Sequence, residues 1–595
     1  MPRTVFVPAA RPHAGRRVLP ALAGLLALAL AGVLAFLVIR TPAGQDPQPA
    51  VRTGALARID LKPGPANAVL TARGDLSRLG LDNQEPALSP AAVSSGRFGR
   101  RIGYRLDGKV YAQPLFLPGL RIGSRVHDVV IVATEHDSVY ALDAQAAERA
   151  ERVGQAGQVA PLWRVSLLMP GARPMQPATD RVGVGRPCGS ITPEVGITST
   201  PVVDWATGTA YVMALDVEHG TMTYRLHALD IVTGRDTMPQ ALVAATVTGA
   251  GMDAVNGVVT FRAADEQQRM ALTEVAGTIY AGFGSWCEIP PFHGWVIGYS
   301  AATLRRAVVY NDSPDGWAGG LWESQAGITA DAHGHLFLVS GNGTFDLDRG
   351  GRDAGDSVME TLARDGTLKV VDYFAPFNQR CLDRHDLDLG AGSPLAVPGL
   401  HELILAGKAG AVYVLDEARL GGYHPMPGAR CGSAAESRAD LDAVKQELPA
   451  STVAGGMWGT FGYWAQGADR YVYAGGAAGT LTQWRLRPDG TIAPSPVAEA
   501  RYSGAIPVTS GDAGRPGSGI VWVIDPSRTD HQDGAVLRAF AAADVRVQLW
   551  SSDQRPARDG MLAGDYDHFT APVTADGLVI VADQDRLDIY GMLQG

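Results

Sequence analysis

One short pattern recurs along the chain and decides what the chain can fold into. Its clearest copy is VVIVATEHDSVYALD, Val129 to Asp143: an apolar strand, a polar turn, and a second strand ending at Leu-Asp. Weaker copies begin at Gly208, Gly277, Gly334, His401, Arg470, Gly519 and Gly577, making eight units. Their steps average about 64 residues, long for a propeller period, as expected of units carrying loop insertions. A third strand precedes many units, as in TSTPVVD (Thr198–Asp204), GSPLAVPG (Gly392–Gly399) and FTAPVTADG (Phe569–Gly577). A fourth follows, as in PLWRVSL (Pro161–Leu167). Such a unit cannot bury its apolar faces alone and must stack on its neighbours. The expected fold is all-β, an eight-bladed β-propeller with four-stranded blades. The last strand, DRLDIYGML, needs a partner from the front of the chain to close the ring, and GRRIGYRLDG (Gly99–Gly108) has the right character. The 72 Gly and 38 Pro fit this reading, since they punctuate short strands.

The front of the chain reads differently. Val18 to Ile39 is 22 residues without a charge, enough at about 1.5 Å per residue to cross a bilayer core of about 30 Å. Arg3, Arg11, Arg16 and Arg17 precede it, which puts the N-terminus in the cytoplasm. The apolar run is too long for an ordinary signal peptide. The sequence therefore divides into a tail (1–17), a transmembrane signal-anchor helix (18–39), a linker (40–72) and the propeller (73–595). This places the protein in the inner membrane, single-pass, with the propeller in the periplasm. The net charge of −10 and scattered arginines argue against nucleic acid as a partner.

The units also resemble the pyrroloquinoline-quinone (PQQ) propeller repeat. KVYAQPLFLPG, VATEHDSVYALDA, CGSITPEVGITSTPVVD, HGWVIGY, SGNGTFD and DLDLGAGSP resemble a group of poorly characterised exported PQQ-like repeat proteins, over about Arg73 to the C-terminus. The resemblance implies the fold. It would also imply PQQ and Ca²⁺ as cofactors of an alcohol or sugar dehydrogenase. However, such enzymes carry two adjacent cysteines against the quinone, and this chain has none: its cysteines are Cys188, Cys287, Cys381 and Cys431.

Labelling strands A to D from the axis outward, A–B and C–D connections share one face, and B–C and D–A the other. The turn Glu135–Ser138 reads as C–D. So do GSWCEIPPFHG (Gly284–Gly294), GNGTFDLDRGGRDAGD (Gly341–Asp356) and the turn at Lys408. Met169–Ile191 and APFNQRCLDRHDLDLG (Ala375–Gly390) read as A–B. All of these fall on one face, which becomes the expected functional face because binding residues concentrate on loops. The ligand-binding candidates there are His136, Asp137, His293, Asn342, Asp386, Asp388 and Lys408. Asp137 has ordinary turn chemistry, and His293 also suits pinning its own loop. Asp386 and Asp388 share a side and suit a metal or polar ligand, and Lys408 suits an anion. Asp346, Asp348 and Asp353 form a candidate calcium loop, but the EF-hand pattern fails at Gly350 and Ser357, so a solvated turn is the plainer reading.

No G-x-S-x-G, H-E-x-x-H or P-loop occurs. The expected function is a binding or scaffold module of the cell envelope, with an envelope protein or a small polar ligand on the loop-rich face. The alternative is a quinoprotein oxidoreductase, and a third is a lyase or hydrolase with a face-loop site. Cys188–Cys287 and Cys381–Cys431 are the expected disulfides. Non-reducing peptide mapping checks them: both cross-linked peptides should appear, and free thiols at all four positions would refute the pairing.

Overall fold

The computed structural model describes residues 64–146, 160–425, 442–478, 480–500, 506–525, 535–560 and 569–593. They build eight antiparallel blades around an axis. Blade 1 shows the plan, with strand A at Leu115–Ile122, B at Arg125–Ala133, C at Ser138–Asp143 and D at Trp163–Ser166. The remaining inner strands are Val202–Asp204, Thr273–Val275, Thr329–Ala330, Leu395–Val397, Gly462–Gln466, Val508–Ser510 and Val573–Ala575. The outer strand of blade 8 is Phe98–Arg105, which pairs antiparallel with Arg586–Met592 and so closes the ring as expected. An extra hairpin, Thr246–Thr248 with Val258–Thr260, stands between blades 2 and 3. The apolar segment 18–39 lies outside the described residues, and among those described no helix is long and apolar enough to cross a membrane.

The apolar runs follow from blade stacking. Val129 and Ile131 pack toward blade 2, while Val130 and Val132 pack toward blade 8. Successive side chains of a strand point to opposite faces, so a strand buried on both faces must be apolar throughout. Each of the eight blade junctions holds its own apolar cluster of this kind.

One expectation needs correction. The pair of strands in each recurring unit is the middle pair of the blade, not the outer pair. The turn Glu135–Ser138 therefore joins B to C, as do the turns of 286–294, 340–357 and 407–411. The long segments ending at Ile191 and Gly390 are D–A connectors. A shift of one strand leaves all of them on a common face, because B–C and D–A connections share it.

The inner strands surround a channel, and residues 69–85 cross it on the A–B side. Val69 bridges Phe116 of blade 1. The carbonyls of Leu70, Leu76 and Ser77 accept from Val203, Ala330 and Ala396 of blades 2, 4 and 5 at 2.8, 3.0 and 3.0 Å. Leu81–Asp82 runs parallel to Thr509–Ser510 of blade 7, and Glu85 accepts from Gly577 of blade 8 at 2.6 Å. Two buried arginines supply the remaining ties. Arg78 donates to Thr273 of blade 3 (2.7 Å), to the Ile328 carbonyl (2.7 and 3.1 Å), and to Thr71 and Ala72 within the segment (3.0 and 2.8 Å). Arg73 donates to the carbonyls of Phe461 ahead of blade 6 (2.8 Å) and Pro507 ahead of blade 7 (3.0 Å). The end of the expected linker and the first residues of the expected propeller thus form a plug hydrogen-bonded to every blade.

Burial lowers the Arg78 guanidinium to about 10, with Asp75 opposing that shift. A guanidinium kept in such a place depends on its acceptors. Arg78→Met should lower the urea unfolding free energy by roughly 3 kcal/mol, since charged hydrogen bonds are lost and carbonyls are left unmet. An unchanged urea midpoint would show that the plug is not held this way.

Candidate functional site

The turn that opens the repeat does not form a reaction centre. Its four side chains diverge. Glu135 accepts from Gly196 N and Thr198 Oγ1 at 2.8 and 3.1 Å. His136 Nδ1 meets Glu194 at 2.8 Å, and Ser138 Oγ donates to Asp107 at 2.6 Å. Asp137 turns inward in the left-handed region (φ 54°) and is buried. Burial, then the nearby Glu135, Asp216 and Glu194, push its carboxyl well above the usual range. His293 is also fully engaged, with Nε2 at 2.9 Å from Asp253 and Nδ1 at 2.9 Å from Ser313 Oγ. Asp346 accepts from Asp353 N at 2.8 Å, and Asp353 from Asp315 N at 3.0 Å, so these carboxylates are spent on shaping their loop. The first three-carboxylate convergence expected of a calcium loop is not found at Asp346, Asp348 and Asp353; among the described residues it occurs elsewhere.

The remaining four candidates come together. Lys408 Nζ lies 2.5 Å from both Asp386 Oδ1 and Asp388 Oδ2. Asn342 donates its backbone N–H to Asp388 (2.7 Å) and its side-chain amide to Asp386 (3.3 Å). Asp386 takes a left-handed conformation (φ 55°) at the end of the helix Gln379–His385, which turns its carboxylate back toward Lys408. Glu288, which the sequence reading missed, adds a third carboxylate 3.4 Å from Lys408. Burial works against the Lys408 charge, but Asp388, Asp386 and Glu288 outweigh it and hold the ammonium above its ordinary range.

This cluster forms one wall of a cavity of about 450 Å³. The cavity lies at the axial ends of the inner strands on the loop-rich face. Tyr111, Arg269, Ala391, Trp458 and Phe569 line it, each four residues ahead of an inner strand. The D–A connectors into blades 1, 3, 5, 6 and 8 thus each deliver one residue to the cavity at a constant offset. Trp322 completes an aromatic set of four. A Cβ at Gly284 or Gly341 would overlap its indole, so these glycines make the slot in which the ring sits. Arg269 stacks on Phe569, 4.6 Å from the ring centroid. Lys109 and Arg269 form no ion pair with a carboxylate among the described residues. Beneath the cavity, a small void shared with Tyr111, Ser324 and Phe569 reaches Arg73 of the plug, which closes the channel below.

The rim is stapled. Cys188 and Cys287 form the expected disulfide, with Cα atoms 5.8 Å apart. Each cysteine is next to a cavity residue, Gly189 on one side and Glu288 on the other. Cys381 is not a free thiol, and Cys431 lies outside the described residues.

No protein-family model matches the chain, and no curated protein matches it. Among solved structures it is similar to the quinohemoprotein alcohol dehydrogenase of Comamonas testosteroni (TM-score 0.55, 14% identity, covering 91% of this chain and 82% of that one). A europium-containing methanol dehydrogenase gives TM-score 0.55 at 12% identity, covering 88% and 98%. The quinohemoprotein alcohol dehydrogenase ADHIIG of Pseudomonas putida HK5 gives 0.52 at 16%, covering 89% and 81%. The chain has the quinoprotein-type propeller fold. At these identities the likeness is one of fold, and the propeller's chemistry has to be argued from its own residues.

Glu323, beside Trp322 and Ser324, offers a test of how tightly this region is packed. It is fully buried, and its carboxyl accepts from Val339 N at 3.2 Å. Burial raises it to about 8, with that hydrogen bond and Arg78 opposing. Between its ordinary value and about 8 the native state holds a proton that the unfolded chain has released, so stability falls as pH rises through this window. Glu323→Gln should flatten that part of the profile and melt no lower than wild type at about pH 8.5, where the wild-type carboxylate is ionised. Parallel pH dependence of the two melting curves would contradict the assignment.

Proposed function

We propose that the propeller is a binding module whose axial cavity takes a small anionic ligand with a flat apolar face. The observation that carries this reading is the pairing of four aromatic rings with two cations, Lys109 and Arg269, that no carboxylate in the described protein neutralises. Aromatic walls with a few converging polar groups are what ligand pockets present, and a guanidinium stacked on a ring keeps its edge donors for a carboxylate or phosphate. The proposal keeps the propeller in the envelope, anchored through residues 18–39. A larger partner on the same face also has support. Val184, Met252, Val255 and Trp317 are 61, 57, 68 and 40% exposed on the connectors around blades 2 to 4, and exposed apolar residues gathered on one face mark contact sites.

The second reading is a quinoprotein oxidoreductase. An axial cavity with aromatic walls, in a fold shared with quinohemoprotein dehydrogenases, favours it. PQQ is itself a flat anion, and Trp322, Trp458, Lys109 and Arg269 would hold it. No adjacent cysteine pair faces the cavity, and the rim disulfide Cys188–Cys287 is of a different kind.

Tryptophan fluorescence tests binding, and dye-linked turnover separates the two readings. Titrated with PQQ and with simple aromatic dicarboxylates, the full-length protein should show saturable quenching. Arg269→Gln or Lys109→Gln should weaken it about tenfold each, a loss of about 1.4 kcal/mol. Dye-linked oxidation of alcohols or sugars after adding PQQ and Ca²⁺ would establish the oxidoreductase. Absence of quenching by any anion would remove the binding reading.

A further inference from the structure

The quinoprotein resemblance implies calcium beside the axial cavity, and one protein of similar fold is a europium-containing methanol dehydrogenase. The residues of this chain do not fit such an ion. Glu288, Asp386 and Asp388 do place carboxylate oxygens within 4.8 Å of one another, a separation one cation can bridge. But that cation is already present as a side chain. The ammonium of Lys408 lies 2.5, 2.5 and 3.4 Å from the three carboxylates.

We propose that Lys408 is the chain's own cation at this position, that the axial site works without a metal ion, and that removing the ammonium turns the three carboxylates into a cation site. The carboxylates come from far apart in sequence, Glu288 from the B–C turn of blade 3 and Asp386 and Asp388 from the connector into blade 5. Lys408 reaches them from the B–C turn of blade 5 itself. Its side chain is 15% exposed and that of Asp388 only 3%, so the pair is screened little by solvent. A calcium ion needs about 6–8 oxygen ligands at about 2.3–2.6 Å. The oxygens it would take are those Lys408 already occupies, and two cations that close repel. Asp388 has a further commitment, since its other oxygen accepts from Asn342 N at 2.7 Å.

The inference stands independently of the anionic ligand proposed above, because a metal probe reads the cage itself. The probe is terbium(III), whose emission is sensitised by tryptophan, and Trp322 lines the same cavity. Full-length wild-type protein should give no saturable emission beyond that of Asp386→Asn, which is a safe control because its side chain is 62% exposed. Lys408→Met should give saturable emission, half-maximal at a terbium concentration on the order of 100-fold below the highest at which wild type shows none, and lost again in Lys408→Met/Asp386→Asn. Wild-type emission that Asp386→Asn abolishes would overturn the proposal. So would a Lys408→Met protein that melts cooperatively and binds no terbium. If Lys408→Met does not fold, the wild-type and Asp386→Asn titrations decide alone: a difference between them refutes the built-in cation, and identity upholds it.

Discussion

The hydrogen bonds of Arg73 and Arg78 are the interaction on which the rest of the site depends. A ring of blades has an open axis, and each inner strand turns unpaired backbone toward it. Water can satisfy those groups, but a water-filled channel has no floor on which to hold a ligand. Residues 69–85 supply the floor. The cost is two guanidiniums placed in the interior, and burial lowers Arg73 to about 9, with Asp75 opposing that shift. The structure offsets this with carbonyls of Ile328, Phe461 and Pro507, which lie immediately ahead of inner strands. The carbonyls of Ile328 and Phe461 belong to the same D–A connectors that bring Trp322 and Trp458 to the cavity above. The plug therefore sets the depth of the cavity and also fixes the ends of the segments that line it.

Above the plug, the constant offset of lining residues explains how a repeat makes a site. In blades 1, 3, 5, 6 and 8 the residue four positions ahead of the inner strand reaches the cavity. Tyr111, Arg269, Ala391, Trp458 and Phe569 occupy that position. It is free to vary without touching the blade junctions, whose eight apolar clusters hold the fold. Stability and binding thus draw on different residues of the same unit. The B–C turns add a second tier, from which Glu288 and Lys408 reach inward.

Much of the fold was legible in the sequence, because stacking on both faces forces apolar runs such as VVIV and fixes their number. Closure was legible too, since the last unit lacks an outer strand until Phe98–Arg105 supplies it. Strand order within a blade was not: two alternating strands and a turn look alike whether they are the middle or the outer pair. The plug was missed because its ties are backbone carbonyls and two arginines, and nothing in the spacing of Arg73 and Arg78 marks a segment that crosses the channel. The site was half legible. Asn342, Asp386, Asp388 and Lys408 stood out as polar residues in loops, but nothing in their spacing says that they meet, or that Glu288 joins them across 120 residues. The signal for Arg269, Trp458 and Phe569 was present in the fixed offset from the inner strands, and it becomes readable only once those strands are placed.

The Cys188–Cys287 disulfide shows how a tolerant rim is made rigid. The cysteines are 99 residues apart, and closing a loop of that size removes about 4–5 kcal/mol of unfolded-chain entropy in the simplest account. Global stability is not the reason for its position, because blades 2 and 3 already share a large apolar cluster. The bond instead joins the connector bearing Gly189 and Ser190 to the turn bearing Glu288 at the cavity rim, above the buried Ile191, Trp286 and Ile289. Glu288 is the most weakly held of the three carboxylates, contacting Lys408 at 3.4 Å against 2.5 Å for the other two. Fixing its neighbour by a covalent bond supplies the placement that its own contacts do not. A protein that relies on this bond needs an oxidising surrounding, which is what an extracytoplasmic propeller would have.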